Sequence, residues 1–154
     1  MAPSIRFASS IAVLALAAGT AAAQKPANPG AKTYTIALTG QEEVNAEHPA
    51  GGAGDLDASG SVTLTINPGS KQVCYDFTLS GLATLTMAHI HQAPRLQNGP
   101  PVVTLFTGTG GDLDDCVGAT SQQLAQIIAK RSNYYVNVHT TEFPPGAIRG
   151  QLSR

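Results

Sequence analysis

The stretch MAHIHQAP, residues 87–94, places His89 and His91 two apart in a chain with only four histidines. A third, His139, closes the run NYYVNVHT, and the fourth, His48, lies in NAEHPAGG. Residues i and i+2 of a strand point the same way, so His89 and His91 share a face with Cα atoms about 6.5–7 Å apart. That gap lets two imidazoles lean onto one metal ion. Met87 shares their face and brings a soft sulfur near, while Ala88 and Ile90 take the opposite, core-like face. In the late run Tyr135, Asn137 and His139 share one face and Tyr134, Val136 and Val138 the other, so His139 also opposes an apolar side. Three neutral imidazoles suit copper, with zinc the other candidate, and residue type alone does not separate these from nickel. A spacing of two is common by chance, and a solvated polar strand face is the plain alternative.

Further residues complete the candidate site. A turn near Pro144 would pair His139 with Arg149, give or take one residue; a slip of one would put Arg149 on the wrong face. On the right face, Arg149 is the candidate catalytic cation, able to attract and hydrogen-bond a small anion such as superoxide beside a metal. Tyr135, Asn137 and Met87 would surround and orient the ligands. His48 is a candidate fourth ligand, against the simpler reading of an exposed loop histidine. Other chemistry is poorly supported. Serines in GSVT and TLSG have no histidine and carboxylate placed beside them for hydrolysis. Asp112, Asp114 and Asp115 lack the rest of a calcium-loop pattern and read as solvated carboxylates.

These residues need strands to position them. GSVTLTINPGSKQVCYDFTLSGL is the clearest hairpin: Val62, Leu64 and Ile66 alternate with polar residues, NPGS supplies the turn, and Val73, Tyr75, Phe77 and Leu79 alternate on the return. YTIALTG, TMAHIHQA, PVVTLFTG, YYVNVHT and GAIRGQL read as further strands. Residues 41–59 and the Gly/Asp-rich GTGGDLDDC read as loops. ATSQQLAQIIAKRSN is the one convincing helix, capped by Thr120 or Ser121, with Leu124, Ile127 and Ile128 as its apolar stripe and Lys130 and Arg131 at its end. The pattern is all-β: a Greek-key sandwich or flattened barrel of about seven or eight strands with one short crossover helix.

The chain opens with Arg6, an apolar run at about residues 11–18, and small residues ending at 23 before Gln24. That reads as a signal peptide over 1–23, its apolar run too short for a permanent membrane span, with a retained N-terminal anchor as the plain alternative. Residues 24–33 read as a flexible leader and 34–154 as one domain of adequate size for a core. The protein is then expected to be secreted or periplasmic. Nine basic and ten acidic side chains, Arg6 among the former, leave no basic stripe, which argues against nucleic acid and anionic membrane surfaces as partners. Export would carry Cys74 and Cys116 into an oxidising compartment, where a disulfide is expected; two buried thiols are the alternative.

LTGQEEV, the hairpin above, AHIH, NGPPVVTLF, QLAQIIAKRSNYYVNVHT and GAIRGQL, in that order, resemble the CHRD domain, which occurs in chordin and singly in secreted bacterial proteins. The likeness covers about residues 33–152. It implies an immunoglobulin-like β-sandwich. This chain departs from the pattern at Glu47 and His48, where a Pro-rich stretch is expected, at Met87, which replaces a small residue, and in its cysteine pair. These departures make His48 a poor candidate for transfer from the family.

The set of His89, His91, His139, the two cysteines and Arg149 is also similar in arrangement to copper-only superoxide dismutases, an analogy of constellation rather than of family. Two functions therefore compete: a secreted copper protein that dismutates superoxide, and a non-catalytic extracellular module that binds a protein or matrix partner, with a structural metal or none. Either could be a monomer or a homodimer.

Overall fold

The alternation read in residues 60–82 forms a hairpin of β2 (Ser59–Asn67) and β3 (Gln72–Ser80), paired antiparallel with Val62 opposite Phe77 and Leu64 opposite Tyr75. Its inward residues Val62, Leu64, Ile66, Val73, Tyr75 and Phe77 are all buried. The Asn67 carboxamide accepts from the Gly69 and Ser70 amides at 2.9 and 3.2 Å and so closes the turn that Pro68 and Gly69 announce. The structure is a computed structural model and describes residues 30–153. The expected signal peptide, 1–23, and the leader up to residue 29 lie outside the described residues.

The remaining elements are β1 (Lys32–Thr39), β4 (Leu85–Gln92), β5 (Pro101–Thr107), β6 (Asp114–Gly118), α1 (Ser121–Ala129), β7 (Tyr134–Thr140) and β8 (Ile148–Gln151). Thr120 caps α1 by accepting from the Gln123 amide at 3.2 Å, and Leu124 and Ile127 are fully buried on the core.

The strands form one eight-stranded antiparallel sheet, ordered β5-β4-β7-β8-β1-β2-β3-β6. The expected two-sheet immunoglobulin-like sandwich is not what the hydrogen bonding describes: the sheet is barrel-like and nearly closed. Two four-stranded halves meet where β1 pairs with β8 through a single register pair, Thr39 with Arg149. Gly150 permits that junction, because a Cβ there would collide with the Ala37 carbonyl and come within 2.8 Å of Ile36 Cγ2. At the far ends β5 and β6 approach each other, with Phe106 of β5 edge-on to Phe77 at 5.9 Å between centroids.

One strand departs from the sequence reading. Residues 108–116 carry glycines and aspartates and read as loop, yet residues 114–118 are strand β6. This edge strand is held by pairing with β3 and by the Cys74–Cys116 disulfide, whose two residues face each other in the register. The expected disulfide thus forms, and it fastens the strand that local composition disguises.

Candidate metal centre

Strand β4 pairs with β7 in the register Met87↔His139, His89↔Asn137 and His91↔Tyr135. Residues directly opposite in an antiparallel pair share a face. Met87, His89, His91, Tyr135, Asn137 and His139 therefore lie on one side, with Ala88, Ile90, Val136 and Val138 turned into the core and all but unexposed. The strand parity read from sequence is the parity found. The polar side is not a solvated face, however. All seven residues of β7 are buried, because the 93–100 and 141–147 loops supply hydrogen-bond partners over this face.

Three of the four histidines come together. Ligand nitrogens of His89, His91 and His139 all lie within 4.8 Å of one another. The His89 Nδ1 to His139 Nε2 distance is 3.3 Å, close to the ~3.3–3.4 Å edge of a tetrahedron with metal–nitrogen bonds of about 2.0–2.1 Å. Two backbone acceptors fix the tautomers. The His91 Nδ1–H donates to the Gly99 carbonyl at 2.8 Å, and the His139 Nδ1–H donates to the Pro144 carbonyl at 2.9 Å. Each ring then presents its Nε2 as the acceptor nitrogen, that of His139 facing His89 Nδ1. His91 Nε2 is buried and has no hydrogen-bond partner. A buried acceptor left without a donor is costly unless something binds it, and a metal ion is the natural occupant of three converging lone pairs.

Electrostatics favour the neutral, ligating form. Burial, followed by the charges of His139 and His91, lowers the His89 pKa from 6.5 to about 4. Burial also lowers His91, against a raising hydrogen bond from Gly99 and with further lowering by His139 and Arg149. His139 is lowered by burial against the raising effect of the Pro144 hydrogen bond. No carboxylate of the described residues joins the cluster.

Arg149 lies opposite Asn137 rather than His139. The β7–β8 turn centres one residue earlier than Pro144, on Phe143, where Gly146 N–H donates to the Phe143 carbonyl. The shift is by two residues, so parity survives and Arg149 stays on the histidine side. Its side chain is 3% exposed, with Nε and Nη1 engaged and Nη2 buried without a partner. Nε donates to the Glu42 carbonyl at 2.5 Å and Nη1 to Asn98 Oδ1 at 2.9 Å, while the plane covers the Tyr135 ring at 4.6 Å. Tyr135 in turn stacks on His91 with centroids 4.9 Å apart and planes 12° from parallel. Arg149 also lies 3.7 Å from Glu43, a carboxyl that burial raises to about 7 despite the lowering effect of that arginine. His48 is not brought to the cluster; it is exposed, with its ring nitrogen 3.3 Å from Asn45 Oδ1.

RLQNGP reads as a loop in the sequence and is one, but its role at the site was not legible. Gly99 accepts from His91 through its carbonyl and donates its amide to Tyr135 Oη at 3.3 Å, and a Cβ on it would collide with the Gln92 carbonyl. The Gly99-Pro100-Pro101 run was the only local sign, and it marks a turn rather than a site.

An all-β sheet that gathers three strand histidines beneath its connecting loops defines a candidate metal-binding domain. The family model of the CHRD domain matches residues 34–152, and the chain belongs to that family. No curated protein matches it. No solved structure matches it either.

Proposed function

We propose that this CHRD domain is an extracellular binding module whose three-histidine cluster holds one transition-metal ion. The observation that carries the metal is the convergence of three imidazole nitrogens with two tautomers preset by backbone carbonyls. Family membership and the Cys74–Cys116 disulfide support an extracellular setting. Among the described residues no helix is long and apolar enough to cross a membrane. Copper and zinc are the ions the donors favour. The test is metal analysis of tag-free protein after reconstitution with Cu(II) or Zn(II): one equivalent per chain is expected, and it should vanish in His139→Gln. Uptake unchanged by that substitution overturns the proposal.

Superoxide dismutation is the second reading, favoured by the partial exposure of His89, one of the three clustered histidines. His89, His91 and His139 would hold the copper, which would supply one-electron redox chemistry for converting two superoxide ions and two protons to dioxygen and hydrogen peroxide. Arg149 would have to act on the anion through its field, since its side chain is buried, with Nε and Nη1 engaged within the fold and only Nη2 unpartnered. That engagement weighs toward the non-catalytic module. Superoxide consumption by the copper-loaded protein, abolished by a chelator, would reverse the ranking.

A further inference from the structure

Two of the three ligand histidines are closed off from solvent, with His91 at 8% and His139 at 6% exposure. The third, His89, is partly open. The open side has one more residue on it. Met87 is directly opposite His139 in the β4–β7 ladder and two residues before His89 on the same face. Cross-strand partners bring Cβ atoms to ~4.5–5.5 Å, and a methionine side chain has three further rotatable bonds to reach with. Met87 is also 36% exposed, one of three large hydrophobic side chains left so among the described residues. A thioether on the histidine face, directly opposite one of the three histidines, is within reach as a donor.

We infer that Met87 supplies a fourth, thioether ligand to the histidine cluster, which makes the site selective for a soft monovalent ion, Cu(I), over Zn(II). The inference rests on the reading that the cluster binds a metal, and deepens it. Two arguments carry it besides position. First, thioether sulfur binds Cu(I) well and Zn(II) poorly, whereas imidazoles accept both. Second, the donor set is neutral throughout: three imidazoles and a thioether, with no carboxylate in the group. Transferring an ion from water into a partly buried site costs more as its charge rises, so a neutral cage suits a single positive charge better than two. Other candidate donors near the face are committed elsewhere or enclosed. The Tyr135 hydroxyl receives the Gly99 amide, and Asn137 Oδ1, opposite His89, is buried and is a harder donor than a thioether. Binding is simple ligation, with no change in the oxidation state of the ion.

The test uses Met87→Leu, which keeps the volume of a partly exposed side chain and removes only the sulfur. Cu(I) affinity is measured under reductant by competition with a chromogenic Cu(I) chelator, and Zn(II) affinity by a parallel titration. The expected result is at least a tenfold loss of Cu(I) affinity in the variant, of the order that perturbing a metal site commonly costs, with Zn(II) affinity unchanged. In the wild type, the Met87 methyl carbon resonance should shift on adding one equivalent of Ag(I), a redox-inert stand-in for Cu(I). Equal Cu(I) affinity in both proteins, or a methyl resonance that Ag(I) does not move, overturns the role of Met87. Wild-type protein that takes up neither Zn(II) nor Cu(I) overturns the metal reading itself, so the two failures are distinguishable.

Discussion

His89 shows how far a single side chain is set by its surroundings. Its pKa falls to about 4 because it is partly buried beside two other imidazoles. An unfolded chain protonates the same residue near 6.5, so the folded form binds fewer protons in between. The contribution of His89 to stability is therefore complete above pH 6.5 and is lost as pH falls through about 4. Glu43 works in the opposite sense, since its raised pKa gives a contribution lost as pH rises through about 7. The two are separated by comparison. In metal-free protein, the gap in denaturation midpoint between wild type and His89→Gln should shift against the wild type as pH drops from 6.5 toward 4. A gap that stays constant over that range would mean that His89 titrates normally. The side-chain parity behind this cluster was legible in the sequence, because alternation in AHIH and YVNVHT is local and has period two. What covers the cluster was not, since burial of the polar face depends on loops distant in sequence.

At the scale of elements, the 93–100 loop joins three parts of the site. Gly99 holds His91 and Tyr135, and Asn98 receives Arg149 and donates to the Val44 carbonyl at 3.0 Å. The resulting stack of Arg149 on Tyr135 on His91 means that a loop and a strand fix the orientation of one ligand ring. Tyr135→Phe keeps the stack and removes the oxygen that anchors Gly99. Zn(II) affinity should drop about tenfold, while stability changes by only about 1 kcal/mol; titration and denaturant melts read the two separately. Strands with clear alternation, such as β2 and β3, could be read directly. Strand β6 could not, because Asp114 and Asp115 disfavour strand locally and its formation depends on pairing with β3 and on the disulfide. Nor could the order of strands, which places β4 beside β7 across some fifty residues.

For the whole molecule, the sheet divides the labour between its halves. The histidines lie on β4 and β7, and the disulfide ties β3 to β6 at the opposite end of the strand order. Replacing Cys74 and Cys116 by serine should lower stability by about 3–4 kcal/mol, from the loop that the bond closes. Zn(II) stoichiometry should stay at one in the folded protein, measured at low temperature where the variant remains native. Loss of metal together with the bond would show that the halves are coupled. The near-closure of the sheet leaves two outer strands, and each is ill suited to recruit another. β5 starts at Pro101 directly after Pro100, which denies it amide donors there, and β6 is five residues long with two adjacent aspartates. Short, charged or proline-bearing borders resist strand-by-strand growth. A β-rich protein of this kind can accumulate at high concentration without seeding fibrils from its own margins.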